Sequence, residues 1–448
     1  MPMHPNFGPK VKNMTRRKIN VEYLARVEGE GALNAVITDG VVEKVELNIF
    51  EPPRYFEALL RGREFTEAPD ITARICGICP VAYQMSAVHA MEDACGVVLP
   101  DPLHELRRLL YCGEWIESHV LHIFMLHAPD FLGCHGVVEM AKDHGDLVRH
   151  ALRMKKAGNA IVAAVGGREV HPVNIRVGGF YRAPSKASLR ALKDELLWSR
   201  DQAMETVKWA GRLPYPDFER DYTLVSLRHD TEYPMNRGRI VSNRGMNLPV
   251  NEFENYFEEH HVPHSTALHG RTKDNESYLV GPLARYALNS DRLPDHIAAL
   301  AVEAGLEPGC RNPYKSLIAR AVETLYAFDL ALHIIETYET PSISSIDVTP
   351  CDGSGQWATE APRGMLYHRY AIGSDGLIKD AKIVPPTSQN QPSIEEDVRG
   401  VIEKNLSMED DDLQHRCEQT IRNYDPCISC STHFLKLNIE RKNSSGLT

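Results

Sequence analysis

Hydrophobic and polar positions alternate clearly in one early stretch. Between residues 35 and 49 the apolar positions keep a two-residue period, interrupted by Asp39-Gly40. That pattern predicts a β-hairpin, with Asp39-Gly40 as its turn and Val41, Val45, Leu47 and Ile49 on one face. The period then lengthens. Pro80 sits where a first helical residue is tolerated, and Val81, Met85 and Val88 follow at helical spacing until Gly96. Asp101-Pro102 opens a longer helix striped by Leu103, Leu106, Leu110, Ile116 and Ile123, with Pro129 as its end. Residues 135–160, 185–210 and 313–339 read as further helices, and residues 211–290 as mixed and aromatic-rich.

Leu366–Ile372 and Leu377–Val384 flank Gly373-Ser-Asp-Gly376 as a second hairpin. If it pairs about that turn, Gly364 falls opposite Pro385. Ser393 and Glu396 form a capping box before Val398, Val401 and Ile402. Glu409–Asp412 reads as a solvated helix start. There is no repeat, low-complexity segment or linker. These elements predict an α+β, mainly α class: one large helical bundle with small peripheral β-sheets and hairpins.

Composition narrows the function. The 448 residues carry 61 acidic and 50 basic side chains, a formal charge of −11. That balance argues against a nucleic-acid partner. A hydrophobic share of 43% and a charged share of 25% suit a globular protein. No apolar run approaches the roughly 20 residues of a membrane helix. Arg16-Arg17 is not followed by an apolar stretch, so no signal peptide is expected and the setting is expected to be cytoplasmic and reducing. Ten cysteines there point to metal binding or catalysis before crosslinks.

Cys76-Gly-Ile-Cys79 and Cys427-Ile-Ser-Cys430 are the strongest chemical signals. Two such pairs make an S₄ site, and soft thiolates select zinc, iron–sulfur, or another soft or borderline metal such as nickel. A zinc ribbon spaces its pairs about 15–20 residues apart; here most of the chain intervenes. Cys79 precedes Pro80 and would sit at a helix N-terminus, where negative charge is favoured. Asp425-Pro426 predicts an extended approach to Cys427. A structural zinc site and a redox dithiol are the other readings. The isolated Cys95, Cys112, Cys134, Cys310, Cys351 and Cys417 read as small buried hydrophobes.

Arg74-Ile-Cys-Gly-Ile-Cys79-Pro, with Arg54-Tyr-Phe-Glu57 upstream, resembles the first signature of nickel–iron hydrogenase large subunits. Tyr424-Asp-Pro-Cys427-Ile-Ser-Cys430-Ser-Thr-His433 resembles the second, and the likeness runs from Arg26-Val-Glu28-Gly to His433. Val384-Pro-Pro-Thr-Ser-Gln-Asn-Gln391 resembles the cytoplasmic, multimeric, pyridine-nucleotide-linked group that includes the sulfhydrogenases. The resemblance implies that group's large-subunit fold over residues 18–433. Residues 1–17, with three prolines, several cations and no periodicity, read as a tail; by resemblance residues 434–448 are a C-terminal peptide removed by a maturation protease after nickel-insertion factors have acted.

It also implies reversible cleavage of dihydrogen. Cys76, Cys79, Cys427 and Cys430 would hold nickel, with Cys79 and Cys430 bridging to an iron that carries cyanide and carbon monoxide. Cys427 would serve as base and Glu28 as proton carrier. Arg363 and Thr387 would hydrogen-bond the cyanides; independently, the hairpin pairing would place both at one mouth. Glu57 and His433 would hold magnesium or a second iron near the C-terminus. Two departures stand out: Ser118 where many relatives have aspartate, and Tyr83 where many have histidine. His119 and His122 read as core residues before a metal pair.

Beyond the site cysteines, no C-x₂-C pair remains for an iron–sulfur relay and no G-x-G-x-x-G for a dinucleotide. No iron–sulfur cluster or flavin is therefore expected on this chain. Its electrons need a partner, by resemblance an iron–sulfur small subunit plus diaphorase subunits binding flavin and NAD(P). The alternative is a metal-free or zinc-bound structural homologue in a redox complex.

Overall fold

The computed structural model describes residues 16–432. Arg16–Val21 (β1), Gly31–Thr38 (β2) and Val41–Ile49 (β3) form an antiparallel sheet in that order. Asp39 and Gly40 take φ of 50° and 80°, as a tight primed turn requires. A bulge between Val36 and Ile37 shifts the register. Val42, Val45, Leu47 and Ile49 therefore face inward, and Val41, expected among them, is 64% exposed. Arg16 and Arg17, assigned above to the tail, begin β1. Arg17 holds the strand by donating to Leu406 O at 2.9 Å and Met408 O at 2.6 Å.

Helices Pro80–Ala94 (α1), Asp101–Val120 (α2), Gly145–Gly166 (α3) and Lys193–Ala210 (α4) follow the expected periodicity. α2 does not stop at Pro129. Leu121–His127 continues it as a wider π turn, and Pro129 enters the first turn of a short helix, Ala128–Leu132. Its missing N–H is harmless at that position. α2 and α3 cross backbone to backbone: a Cβ on Gly113 would lie 2.9 Å from Gly158 O, and one on Gly158 2.8 Å from Gly113 O.

The mixed region contributes short strands, including the hairpin Phe257–Val262 (β4) and Ser265–Thr272 (β5). Ser316–Thr337 (α5) is buried over most of its length and packs against α2 and α4. Gly353–Ala361 (β6), Gly364–Ile372 (β7) and Ile378–Val384 (β8) form an antiparallel sheet covered by α1. β6 has no clear sequence signal, because Gly353 and Gly355 read as loop. Gly355 is needed there: a Cβ would run into Ala90 O of α1.

Ala361 pairs with Gly364, so Pro362-Arg363 is a two-residue turn between β6 and β7. Tyr367 pairs with Val384, and a bulge lies between Ala371 and Ile372. The register is thus two residues off the expected one, and Gly364 does not face Pro385. The next helix, Pro386–Lys404 (α6), starts seven residues before the expected capping box at Ser393. Ser393 Oγ instead donates to Tyr278 O at 3.0 Å. Asp410–Arg422 (α7) begins at the acidic run as expected. Among the described residues no helix is long and apolar enough to cross a membrane.

The α2–α3 crossing yields a stability test. Gly158→Val should cost about 1–3 kcal/mol by overpacking. A thermal melt followed by circular dichroism should show a lower Tm with native helix content at low temperature.

Candidate metal centre

Two short loops carry the thiols. Cys79 is the N-cap of α1, and Cys427 is the N-cap of a single turn, Ile428–Ser431. All four cysteines are buried and their Sγ atoms lie within 4.8 Å of one another. Cys76 and Cys427, 351 positions apart, stand 3.6 Å apart through their sulfurs. The N–H groups of Ile78 and Cys79 donate to Cys76 Sγ at 3.3 and 3.1 Å. Burial opposes a thiolate at Cys76. Hydrogen bonds from Cys427, Cys430 and Cys79, with the Arg363 charge, outweigh it and hold that thiol well below its usual range. Burial pushes the Cys427 thiol well up. Four thiolates cannot share so dry a space without a cation, and an all-sulfur donor set fits a soft or borderline metal.

The approach to Cys427 is not extended as expected. Asp425 takes φ of 51°, and Arg363 holds it there. Arg363 Nε donates to Asp425 O at 2.7 Å, and Nη2 to Oδ1 at 3.2 Å. Arg363 Nη1 is buried and has no hydrogen-bond partner among the described residues. An uncommitted guanidinium N–H beside four thiols suits a small anionic acceptor. A cavity of about 20 Å³, lined by Leu279, Leu283, Arg320, Arg363 and Asn423 among others, gives room for about one water-sized molecule. Thr387 Oγ1 accepts from Cys427 N–H at 3.1 Å, which leaves its hydroxyl proton for another acceptor. Arg363 and Thr387 thus flank the cluster although the register meant to join them is not formed. Arg363 reaches it from the β6–β7 turn, Thr387 from the first turn of α6.

Glu28 stands on the other side. Its carbonyl accepts from Ile428 N–H at 2.9 Å, and its carboxylate from Ser429 N–H at 3.1 Å. Arg26, two residues earlier, donates to Leu126 O at 2.9 Å and to the Asp130 carboxylate. Arg422 grips the same carboxylate at 2.7 Å. Although burial opposes the charge, His127 and Arg422 hold Asp130 well below the usual carboxylate range. Arg54 supplies the direct clamp: it donates to Ile75 O at 2.8 Å and to Ser429 O, so one side chain joins both cysteine loops.

Glu57 is buried and accepts from Ile383 N–H at 2.8 Å. Burial, then the charge of Glu259, pushes its pKa up to about 8. Burial likewise raises Glu259 to about 7. Two such carboxyls close together suit a hard cation. His433, the other expected ligand, lies outside the described residues, as do residues 1–15 and 434–448.

The sequence reading passed over several residues that build the site. Glu114 accepts from Val81 and Ala82 N–H at 2.6 and 3.0 Å, capping the helix that follows Cys79. Arg285 is buried between Glu323 at 2.7 Å and Glu360 at 3.0 Å. It also donates to Ala361 O and Pro362 O at 2.6 and 3.0 Å, fixing the turn that presents Arg363. Burial would raise Glu323, but Arg285 holds it down to about 2. Ser429 Oγ donates to Glu51 at 2.9 Å, placing a second carboxylate near Glu28. A lone buried charge carries no periodic signal, so only its partners reveal it.

Tyr83 is buried, and its hydroxyl has no partner among the described residues. Ser118 is also buried without one. His119 pairs with Glu323 at 2.9 Å, whereas His122 bonds Arg422 O at 2.7 Å. They serve different partners and form no metal pair. Of the other cysteines, Cys112, Cys134 and Cys417 are buried as expected, but Cys95 and Cys310 are half-buried and Cys351 is exposed. Cys351 lies in the chain leading to β6, over the C-terminal end of α1, and donates to Ala94 O at 2.9 Å.

Comparison with known proteins agrees with this geometry. A sequence model described as "Nickel-dependent hydrogenase" matches residues 54–148 and 273–433. The chain is 33% identical over 424 residues to the sulfhydrogenase 1 subunit alpha of Pyrococcus furiosus, covering 94% of this chain and 98% of that protein. It is 28% identical over 467 residues to the NAD-reducing hydrogenase HoxS subunit beta of Cupriavidus necator, covering 94% and 95%. Its fold matches the crystal structure of an NAD+-reducing nickel–iron hydrogenase in the H2-reduced state, with TM-score 0.85, 27% identity, and coverage of 94% and 100%.

The thiol cluster predicts a selective loss of metal. Cys76→Ser and Cys427→Ser should each lower bound nickel well below one equivalent per chain, while Cys310→Ser should not change it. Elemental analysis of the purified proteins reads the difference.

Proposed function

The chain belongs to the nickel-dependent hydrogenase family, and from that premise we propose how it works as the large, catalytic subunit of a nickel–iron hydrogenase. The carrying observation is the convergence of four buried sulfurs from both ends of the chain within 4.8 Å. On this reading Cys76, Cys79, Cys427 and Cys430 would hold nickel, and Cys79 and Cys430 would also hold iron. When bound, nickel and iron would supply the Lewis acidity that polarises dihydrogen and the capacity to accept its two electrons.

The chain's own residues do the remaining work. Arg363 Nη1 and the Thr387 hydroxyl offer donors to cyanides on the iron, and the Arg363 charge favours thiolates nearby. Cys427 Sγ accepts the proton, and Glu28, backbone-paired with that segment, carries it outward. Glu51, on Ser429 Oγ, is placed to receive it next. Glu57, with His433, would hold magnesium or a second iron, and buried Glu57 beside half-buried Glu259 supports a cation there.

Electrons leave through an iron–sulfur small subunit and pass, by way of diaphorase subunits, to NAD(P). Two observations support this: the relatives are named subunits of larger enzymes, one of them NAD-reducing, and the four cysteines are committed to one centre. The reading places the enzyme in the cytoplasm. It includes removal of residues 434–448 by a maturation protease once nickel-insertion factors have filled the site.

Two substitutions test the roles. Glu28→Gln should abolish dihydrogen turnover while nickel and iron contents stay at wild-type levels; unchanged turnover overturns the assignment. Arg363→Lys keeps the charge but loses the forked donor set. It should cut turnover about 100-fold or more with a small change in Tm; equal losses of activity and stability would make Arg363 purely structural.

A further inference from the structure

A second donor cluster lies away from the thiols, where β3, β5 and α6 meet. His264 occupies the β4–β5 turn, His269 lies in β5 and Glu395 in α6. One ligand atom from each falls within 4.8 Å of the other two. The β4–β5 ladder is irregular between Ser265 and His269, the kind of fault that re-aims a side chain.

A plain ion pair accounts for part of this arrangement. His264 Nε2 lies 2.8 Å from Glu395 Oε1. It does not account for His269, which is 2% exposed and whose Nε2 is buried with no partner among the described residues. Nor does it account for the outer groups. Glu46 lies 3.7 Å from His264 Nδ1, and Leu47 N–H donates to Glu395 Oε1 at 2.9 Å. A metal-bound imidazole characteristically gives its second N–H to a carboxylate, and a ligating carboxylate is itself held by a donor. The second feature is present in the Leu47 N–H held against Glu395, and Glu46 stands at ion-pair distance beyond His264 Nδ1.

We propose that His264, His269 and Glu395 form a second metal site for a zinc-class divalent cation. Two imidazoles and one carboxylate are a complete protein donor set for zinc, with water as the fourth ligand. Bonds of about 2.0–2.1 Å put tetrahedral ligands about 3.4 Å apart, so the 2.8 Å His264–Glu395 contact would open slightly while separations of up to 4.8 Å draw in. The ion ties α6, whose first turn carries Thr387, to the β4–β5 hairpin. It is independent of the nickel centre and of the reaction there.

The test uses nickel-loaded, purified enzyme, stripped of loosely held metal and titrated with zinc chloride. One zinc per chain beyond nickel and iron is expected, with a rise in Tm. His269→Gln, and separately the more exposed His264→Gln, should each weaken zinc binding about tenfold or more. Each should shrink the zinc-dependent rise in Tm at a given zinc concentration, with nickel content and circular dichroism unchanged. No zinc beyond the nickel centre, or undiminished binding in either folded variant, overturns the proposal. Nickel content is read separately, so failure here leaves the hydrogenase reading untouched.

Discussion

Everything in this molecule depends on holding two segments 351 residues apart around one dry cluster of sulfurs. Thiolates crowded in a low-dielectric space repel, and chain entropy opposes bringing the ends together. The fold meets both costs with directed hydrogen bonds. Arg54 spans the two cysteine loops. Glu28 adds a short parallel bridge to Cys427. The Glu114 carboxylate accepts from the backbone donors of the α1 N-terminus after Cys79.

Around that clamp lies a shell of buried ion pairs. Arg363 sits on Asp425, Arg422 on Asp130, and Arg285 between Glu323 and Glu360. Such pairs add little net stability, since desolvation consumes much of the attraction, but each leaves a costly orphan if one partner is lost. Their value here is positional. Arg285 fixes the turn that carries Arg363, and Asp130 joins Arg26, ahead of Glu28, to Arg422, ahead of Cys427. The charged shell thereby aims the groups that flank the four thiols.

Local signals read well where the physics is local. The Asp39-Gly40 turn, the helix starting at Pro80 and the helix starting at Asp410 all form as the sequence indicates. Failures occur where a distant contact decides. Gly355 looks like loop until α1 lies against it. Ser393 looks like a cap until Tyr278 claims its hydroxyl. Pro129 looks like a stop until the π turn delivers it to a position that tolerates proline. Bulges, which cost one residue and carry no strong signature, moved Val41 outward and added one residue to the one-residue shift already made at the β7–β8 turn.

The sequence alone determined the donor atoms and their chemistry: two C-x₂-C pairs name a thiolate centre and the residues flanking them name its family, because side-chain identity and short spacing are local properties. It did not determine that Arg363 Nη1 is left free, that Asp425 bends back to hold Arg363, or that His264, His269 and Glu395 converge. Those follow from strands and helices far apart in the chain coming to rest against one another. Only in the assembled core does burial decide which polar atom has lost water and found no partner.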